Sequence, residues 1–357
     1  MKGFENVKKN FGFGCMRLPM KGDEVDLEQF QEMVDIFMAE GFNYFDTARV
    51  YLGGKSETAI RECVSKRYKR EDFVLVDKLS NDLFKTEEEV RPLFEKQLES
   101  CGVDYFDIYL LHAQTKELFE KYKKCRAYEQ AFELKAEGKI KHVGLSFHDK
   151  AEVLEQILTE YPELEVVQIQ FNYVDYEDAG VESRKCYEVC RKHGKPVVVM
   201  EPVRGGYLAN LPEDAKKVLD DLHGGSPASY AIRFAAGFDG MLCVLSGMSN
   251  LEQLRDNLSY MKEFKPLDER ESAAVKRVCE IFKSKHMIPC TACHYCTDGC
   301  PKKILFPTFS HVSIPREYTR IGTPIITITR HTPNITERPP TVSAVENAKS
   351  HVPSTLK

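Results

Sequence analysis

The chain contains no run of about 18 consecutive apolar residues, so no segment reads as a membrane-spanning helix. Its start, Met1 to Asn10, carries lysines and has no apolar core, so it does not read as a secretory signal. An excess of one charge is also lacking: 50 Lys and Arg stand against 55 Asp and Glu, a net charge of −5. That balance argues against nucleic acid or membrane as the main partner. A cytoplasmic protein with small-molecule partners is the expectation. Oligomeric state has no signal. A Gly-rich phosphate turn after the first strand is absent as well. Phe11-Gly12-Phe13-Gly14-Cys15 has only two glycines and runs into Met-Arg-Leu-Pro, which starts no helix. This speaks against an open doubly wound sheet.

What is present is a regular alternation of strand and helix periods over 357 residues. Strands are expected at Phe11–Met16, Asn43–Thr47, Phe73–Lys78, Asp107–His112, His142–Ser146, Val166–Phe171, Val197–Glu201 and Leu242–Ser246. Between them run amphipathic helical stretches, Leu27–Glu40, Ser56–Tyr68, Thr86–Ser100, Cys125–Glu137, Lys150–Glu160, Gly180–His193, Ser226–Ala236 and Asn250–Met261. Gly41, Gly102, Gly138, Gly194 and Gly237 stand where left-handed C-caps belong. Most strands are continuous apolar runs, as parallel strands covered on both faces should be. Eight such units in about 260 residues fit a closed (β/α)8 TIM barrel, with its site at the C-terminal strand ends.

Those ends carry matched chemistry. Asp46 closes the second strand, Lys78 the third and His112 the fourth, and Tyr51 follows the second in a loop. Carbonyl reduction by a nicotinamide needs a hydride for the carbon and a proton for the oxygen. Tyr51 is the expected acid, with a neighbouring ammonium, Lys78, holding its pKa down. Asp46 would fix the lysine, and His112 would orient the substrate oxygen.

From about Asn10 to Met261 the sequence resembles the aldo-keto reductases. The resemblance rests on Gly41-Phe42-Asn43-Tyr44-Phe45-Asp46 with Tyr51 and Ser56-Glu57, on Asp77-Lys78, and on Leu110-Leu111-His112. It extends to Val143-Gly144-Leu145-Ser146, Val167–Asn172, Leu245–Met248 and Asp256-Asn257. It implies Asp46, Tyr51, Lys78 and His112 as a catalytic tetrad. It implies Ser146 and Gln168 at the nicotinamide carboxamide and the loop after strand eight at the adenosine phosphate. Met200 stands where an aromatic usually stacks on the nicotinamide. Gly247, Met248 and Gln253 replace the residues that usually clamp a 2′-phosphate, and Asn257 lies just beyond. NADP(H) is the family's implication, and the missing clamp leaves NAD(H) open. The substrate would be a small carbonyl or alcohol. Its identity would be set by the loops Ser80–Thr86, Ala113–Lys124, Tyr173–Ala179 and Tyr207–Gly225. The alternative is a nicotinamide-sensing or electron-transfer protein without efficient carbonyl turnover.

Of 12 cysteines, eight are scattered and read as small buried hydrophobes. The other four form Cys290-x2-Cys293-x2-Cys296-x3-Cys300-Pro301, the spacing of a 4Fe-4S site of bacterial ferredoxin type. In two-cluster ferredoxins the fourth cysteine serves the other cluster. No cysteine follows Cys300, so all four local thiolates would have to hold one cluster. The module resembles that fused to one bacterial branch of aldo-keto reductases, usually with a second run. It would exchange electrons with a partner or brace the C-terminus. After Lys303 the composition turns to Thr, Pro, Ser and Ile without Asp or Cys, as in a disordered tail or one left by a shifted reading frame. The expected organisation is a barrel over 1–284, a ferredoxin-type cysteine segment over 285–303 and a low-order tail over 304–357.

Overall fold

Eight parallel strands close into a barrel in the computed structural model, which describes residues 2–222 and 224–284. They are β1 (Phe11–Gly14), β2 (Tyr44–Asp46), β3 (Val74–Leu79), β4 (Phe106–Gln114), β5 (Ile140–Phe147), β6 (Val166–Gln170), β7 (Val197–Met200) and β8 (Met241–Ser246). Each pairs with its sequence neighbours, and β1 closes the ring on both β2 and β8. This is the (β/α)8 architecture expected, and every expected strand is present within a few residues of its bounds. The Cys290, Cys293, Cys296 and Cys300 run and the tail from 304 lie outside the described residues.

The strands form where alternate residues can bury on two opposite faces. Tyr44, Val74, Val76, Ile108, Leu110, Val166 and Val198 fill the barrel interior, which Phe4 plugs from below. Their neighbours Phe45, Leu75, Tyr109, Val167, Val197 and Val199 pack outward against the helices. Interior crowding explains two glycines. A Cβ on Gly144 would run into the carbonyl oxygen of Val166, and one on Gly12 would lie 2.6 Å from Cys243 Sγ. Gly144→Ala is therefore expected to destabilise the fold by about 3 kcal/mol, read as a lower urea midpoint at unchanged slope.

Several helices start at polar caps. Asp26 accepts from Gln29 N at 3.1 Å, Thr115 from Leu118 N at 3.2 Å, and Asn250 from Gln253 N at 2.9 Å. Four of the five expected cap glycines have positive φ, but Gly237 lies at −79° and ends its helix in right-handed geometry. The stretch expected as one helix from Ser56 is α-helical only over Lys55–Ile60 and widens into a π turn over Arg61–Ser65. Two stretches expected as polar loops carry helices, Lys116–Lys124 and Glu213–Asp220. The last helix among the described residues, Glu269–Ser284, packs on the latter through Val275, Val278 and Phe282. A short hairpin pairs Met20–Lys21 with Glu24–Val25. Of the scattered cysteines seven are buried and Cys279 is half-buried, and all eight are free.

Candidate active site

The interior register that places Tyr44, Val76, Leu110, Val166 and Val198 in the core continues upward for one more layer. It brings Asp46, Lys78, His112, Ser146, Gln168 and Met200 to the C-terminal mouth of the barrel, because residues two apart share a face. A cleft of about 1880 Å³ opens above them. That exceeds the roughly 300–1,000 Å³ of a usual small-molecule pocket, enough for a dinucleotide beside a substrate. All expected cofactor contacts, Ser146, Gln168, Met200, Gly247, Gln253 and Asn257, line it, together with Asp46, Tyr51 and His112. Lys78 lies underneath, 1 % exposed.

Lys78 Nζ donates to Asp46 Oδ1 at 2.6 Å and to the Thr47 carbonyl at 2.7 Å. It sits 4.8 Å from the centre of the Tyr51 ring. The Tyr51 and His112 rings meet nearly edge to face, 6.1 Å apart. Tyr51 is held by its loop: its N–H bonds the Ala48 carbonyl, and Leu52, Gly53 and Gly54 turn the chain through left-handed geometry. Ser56 ties that loop to the turn after β1 by donating to the Cys15 carbonyl at 2.8 Å. Arg49 donates to Glu57 at 2.6 Å and to Ser100 at 3.0 Å, fixing the loop from outside. These contacts give Ser56 and Glu57 their structural purpose.

Burial sets the protonation states. It pushes the Tyr51 phenol well above its ordinary value, and the charges of Asp46 and Asp77 push the same way. The lowering expected from Lys78 does not appear. Burial and the carboxylates outweigh the ammonium, which is itself paired with Asp46 at 2.6 Å. Burial likewise raises Asp46, with Lys78 pulling against it. His112 is held neutral, its pKa driven well below the usual imidazole value by burial and by the Lys78 charge. Burial takes His148, also at the cleft, down to about 4.

The floor of the cleft fits a nicotinamide carboxamide. Gln168 Oε1 is buried and has no hydrogen-bond partner, leaving an acceptor open. Ser146 Oγ accepts from Ala113 N at 2.8 Å, which leaves its own proton free to donate. Around the loop after β8 the cleft is lined by Gly247, Ser249, Asn250, Glu252, Gln253 and Asp256. The basic side chain at this rim is Arg17, which lies against Gly247 and approaches Glu201 at 3.6 Å. Arg255, with its side chain 65 % exposed, approaches Glu32 at 3.8 Å. Arg204 pairs with buried Asp175 at 3.1 Å and lies over Phe282. Arg233 makes a two-pronged pair with Glu271. Among the described residues no group of three or more His, Cys, Asp or Glu could hold a metal ion.

Sequence reasoning missed Ser80 and Tyr122. Ser80 Oγ lies 2.6 Å from His112 Nδ1, and Tyr122 OH bonds the carbonyls of both Leu79 and His112. Ser80 continues the interior register of β3, which was the available signal.

Comparison with known proteins agrees with this architecture. An uncharacterized oxidoreductase of Bacillus subtilis, YqkF, is 24% identical over 282 residues, 69% of this chain and 85% of that protein. The NADH-specific methylglyoxal reductase of Escherichia coli is 26% identical over 263 residues, 61% of this chain and 78% of that one. The holo form of aldo-keto reductase AKR11C1 from Bacillus halodurans superposes with a TM-score of 0.61 at 24% identity, covering 75% of this chain and 91% of that one. A Klebsiella pneumoniae aldo-keto reductase in complex with NADPH gives 0.62 at 21% identity, covering 75% and 90%. At these identities the two structures show the shared fold alone. The aldo/keto reductase family model matches residues 10–280 and ends before the cysteine run. The chain belongs to the aldo/keto reductase family of NAD(P)H-dependent oxidoreductases.

Proposed function

We propose that this protein reduces a small-molecule carbonyl, or oxidises the matching alcohol, with Tyr51 as general acid. The observation that carries the reading is the convergence of Tyr51, His112 and the Lys78–Asp46 pair at one point of the cleft. When bound, the nicotinamide supplies a hydride to the carbonyl carbon. The residues of the chain do the rest. Gln168 Oε1 and the Ser146 hydroxyl orient the carboxamide. Tyr51 passes its phenolic proton to the carbonyl oxygen as negative charge develops there. The Lys78 ammonium then stabilises the phenolate. Neutral His112 holds the carbonyl oxygen in line. The test is oxidation of the reduced nicotinamide, followed by absorbance, with a panel of carbonyls beginning with methylglyoxal. Failure with every aldehyde and ketone would overturn the reading.

For the cofactor, NAD(H) fits the adenosine end better than NADP(H). Glu252 and Asp256 line that rim, and the cation there, Arg17 beside Gly247, approaches Glu201 at 3.6 Å, so a 2′-phosphate would meet more negative charge than positive. The Escherichia coli relative, named for NADH, supports this, while the Klebsiella structure holds NADPH. A Cβ at Gly247 would make only ordinary contact, 3.7 Å from Arg17 Cβ, so the position accepts a side chain. Gly247→Lys is expected to lower KM for NADPH about tenfold and leave KM for NADH nearly unchanged, through one added phosphate contact. A parent enzyme that already prefers NADPH would refute the NAD(H) assignment.

The division into a barrel over 1–284, a cysteine segment over 285–303 and a tail over 304–357 belongs to this proposal. So do a cytoplasmic location and an electron-transfer partner for the cysteine segment. A 4Fe-4S cluster on Cys290, Cys293, Cys296 and Cys300 rests on their spacing, and no step of the reduction passes through it. Iron and sulfide analysis after anaerobic purification, on the full chain and on one ending at Lys303, tests it. Absence of iron from both would remove the cluster and leave the reductase reading intact.

A further inference from the structure

The interior register of β3 runs Val74, Val76, Lys78 and then Ser80, one residue past the strand end. Ser80 is buried and lines the cleft, and its hydroxyl oxygen lies 2.6 Å from His112 Nδ1. We infer that Ser80 is the positioning residue for His112: its hydroxyl donates to Nδ1, so that Nε2–H faces the cleft as a hydrogen-bond donor to the substrate oxygen. This rests on the carbonyl reduction proposed above.

A neutral imidazole has one N–H, and the partner of one ring nitrogen decides which nitrogen keeps it. Two arrangements fit the 2.6 Å contact. Were Nδ1–H the donor, the Ser80 hydroxyl proton would need a second acceptor. Among the described residues the Ser80 hydroxyl has no second hydrogen bond, so that proton would be left unsatisfied in a buried place. Were the hydroxyl the donor, the contact satisfies it. The second arrangement also leaves the cleft a donor where a carbonyl oxygen needs one. The first would aim a nitrogen lone pair at that oxygen.

The main chain around both residues is already fixed. The Tyr122 phenol reaches the Leu79 carbonyl at 2.5 Å and the His112 carbonyl at 3.2 Å, stapling the ends of β3 and β4. Gln114 Nε2 donates to the same His112 carbonyl at 3.1 Å. What remains free at His112 is the choice of tautomer and the rotation of the ring, and Ser80 contacts the atom that governs both. The surroundings are consistent with a neutral ring: burial and the Lys78 charge oppose protonation of His112, and a charge on His148 would add to that only on acidification.

The test combines nitrogen NMR of the full chain, labelled with 15N-histidine, with steady-state kinetics. The His112 signals are assigned by their loss in a His112→Gln variant. In the parent, Nε2 is expected to carry the proton and Nδ1 to be bare at neutral pH. Ser80→Ala should show a mixture of tautomers and a kcat lower by about tenfold, with KM for the cofactor unchanged. Ser80→Thr, which keeps the hydroxyl, should restore both. A parent protonated at Nδ1, or a Ser80→Ala variant with unchanged tautomer and unchanged kcat, would overturn the assignment. The tautomer is read without turnover. A parent that reduces no carbonyl would therefore defeat the proposed function and still leave the role of Ser80 decided by its spectrum.

Discussion

Tyr51→Phe is expected to lower kcat for carbonyl reduction by about 10²–10⁴-fold, the range one positioned general acid contributes. Cofactor affinity, measured by fluorescence titration, should stay unchanged. Phenylalanine keeps the ring that packs against Lys78 and His112, so the variant removes a proton and little else. The pH dependence follows from the sign of the shift. Burial, with Asp46 and Asp77, raises the phenol's pKa, so Tyr51 stays protonated through neutral and mildly alkaline pH. Reduction should show no alkaline loss from Tyr51 in that range. Alcohol oxidation needs the phenolate as base and should climb with pH instead. A phenylalanine variant within a few-fold of the parent rate would show that the proton comes from elsewhere.

The same feature that makes this site work made part of it readable from sequence. In a parallel barrel each strand is apolar until its C-terminal end, so the first inward polar residue announces the mouth. Asp46, Lys78 and His112 each follow an inward apolar residue by two. Ser80 sits in the same register but reads as an ordinary turn residue, since a lone serine after a strand has no chemistry of its own. The helix over Lys116–Lys124 escaped because only Phe119 and Tyr122 are buried in nine residues that are otherwise mostly charged. The helix over Glu269–Ser284 did carry a signal, with Val275, Val278 and Phe282 at helical spacing. The direction of the Tyr51 shift was beyond sequence. It depends on how deeply the phenol is covered and on how close Asp46 and Asp77 lie to it, which only the folded chain fixes.

The buried Lys78–Asp46 pair supports the second large expectation. Lys78 is 1 % exposed and Asp46 3 %, so each is the charge that makes the other tolerable in the barrel. Removing one partner of such a pair strands a buried charge, at a cost of about 3–5 kcal/mol. Lys78→Met should therefore lose about that much stability in urea unfolding, and kcat should fall by about 10²-fold or more as the phenolate loses its cation. The pH dependence of the loss has a definite sign. Without Lys78, burial raises the Asp46 carboxyl further above its unfolded value. The folded state then binds the proton more readily than the unfolded one, and stability falls as pH rises through that window. The deficit should be largest at neutral pH and should shrink on acidification, as Asp46 takes up a proton. Adding Asp46→Asn to Lys78→Met removes the stranded charge. The double variant should regain most of the stability, short of the bond that Lys78 gave to the Thr47 carbonyl, and none of the activity. A double variant as unstable as the single one would mean the loss came from packing around the lysine stem. Recovery of activity along with stability would mean the pair serves the fold alone, and that the proton donor works without it.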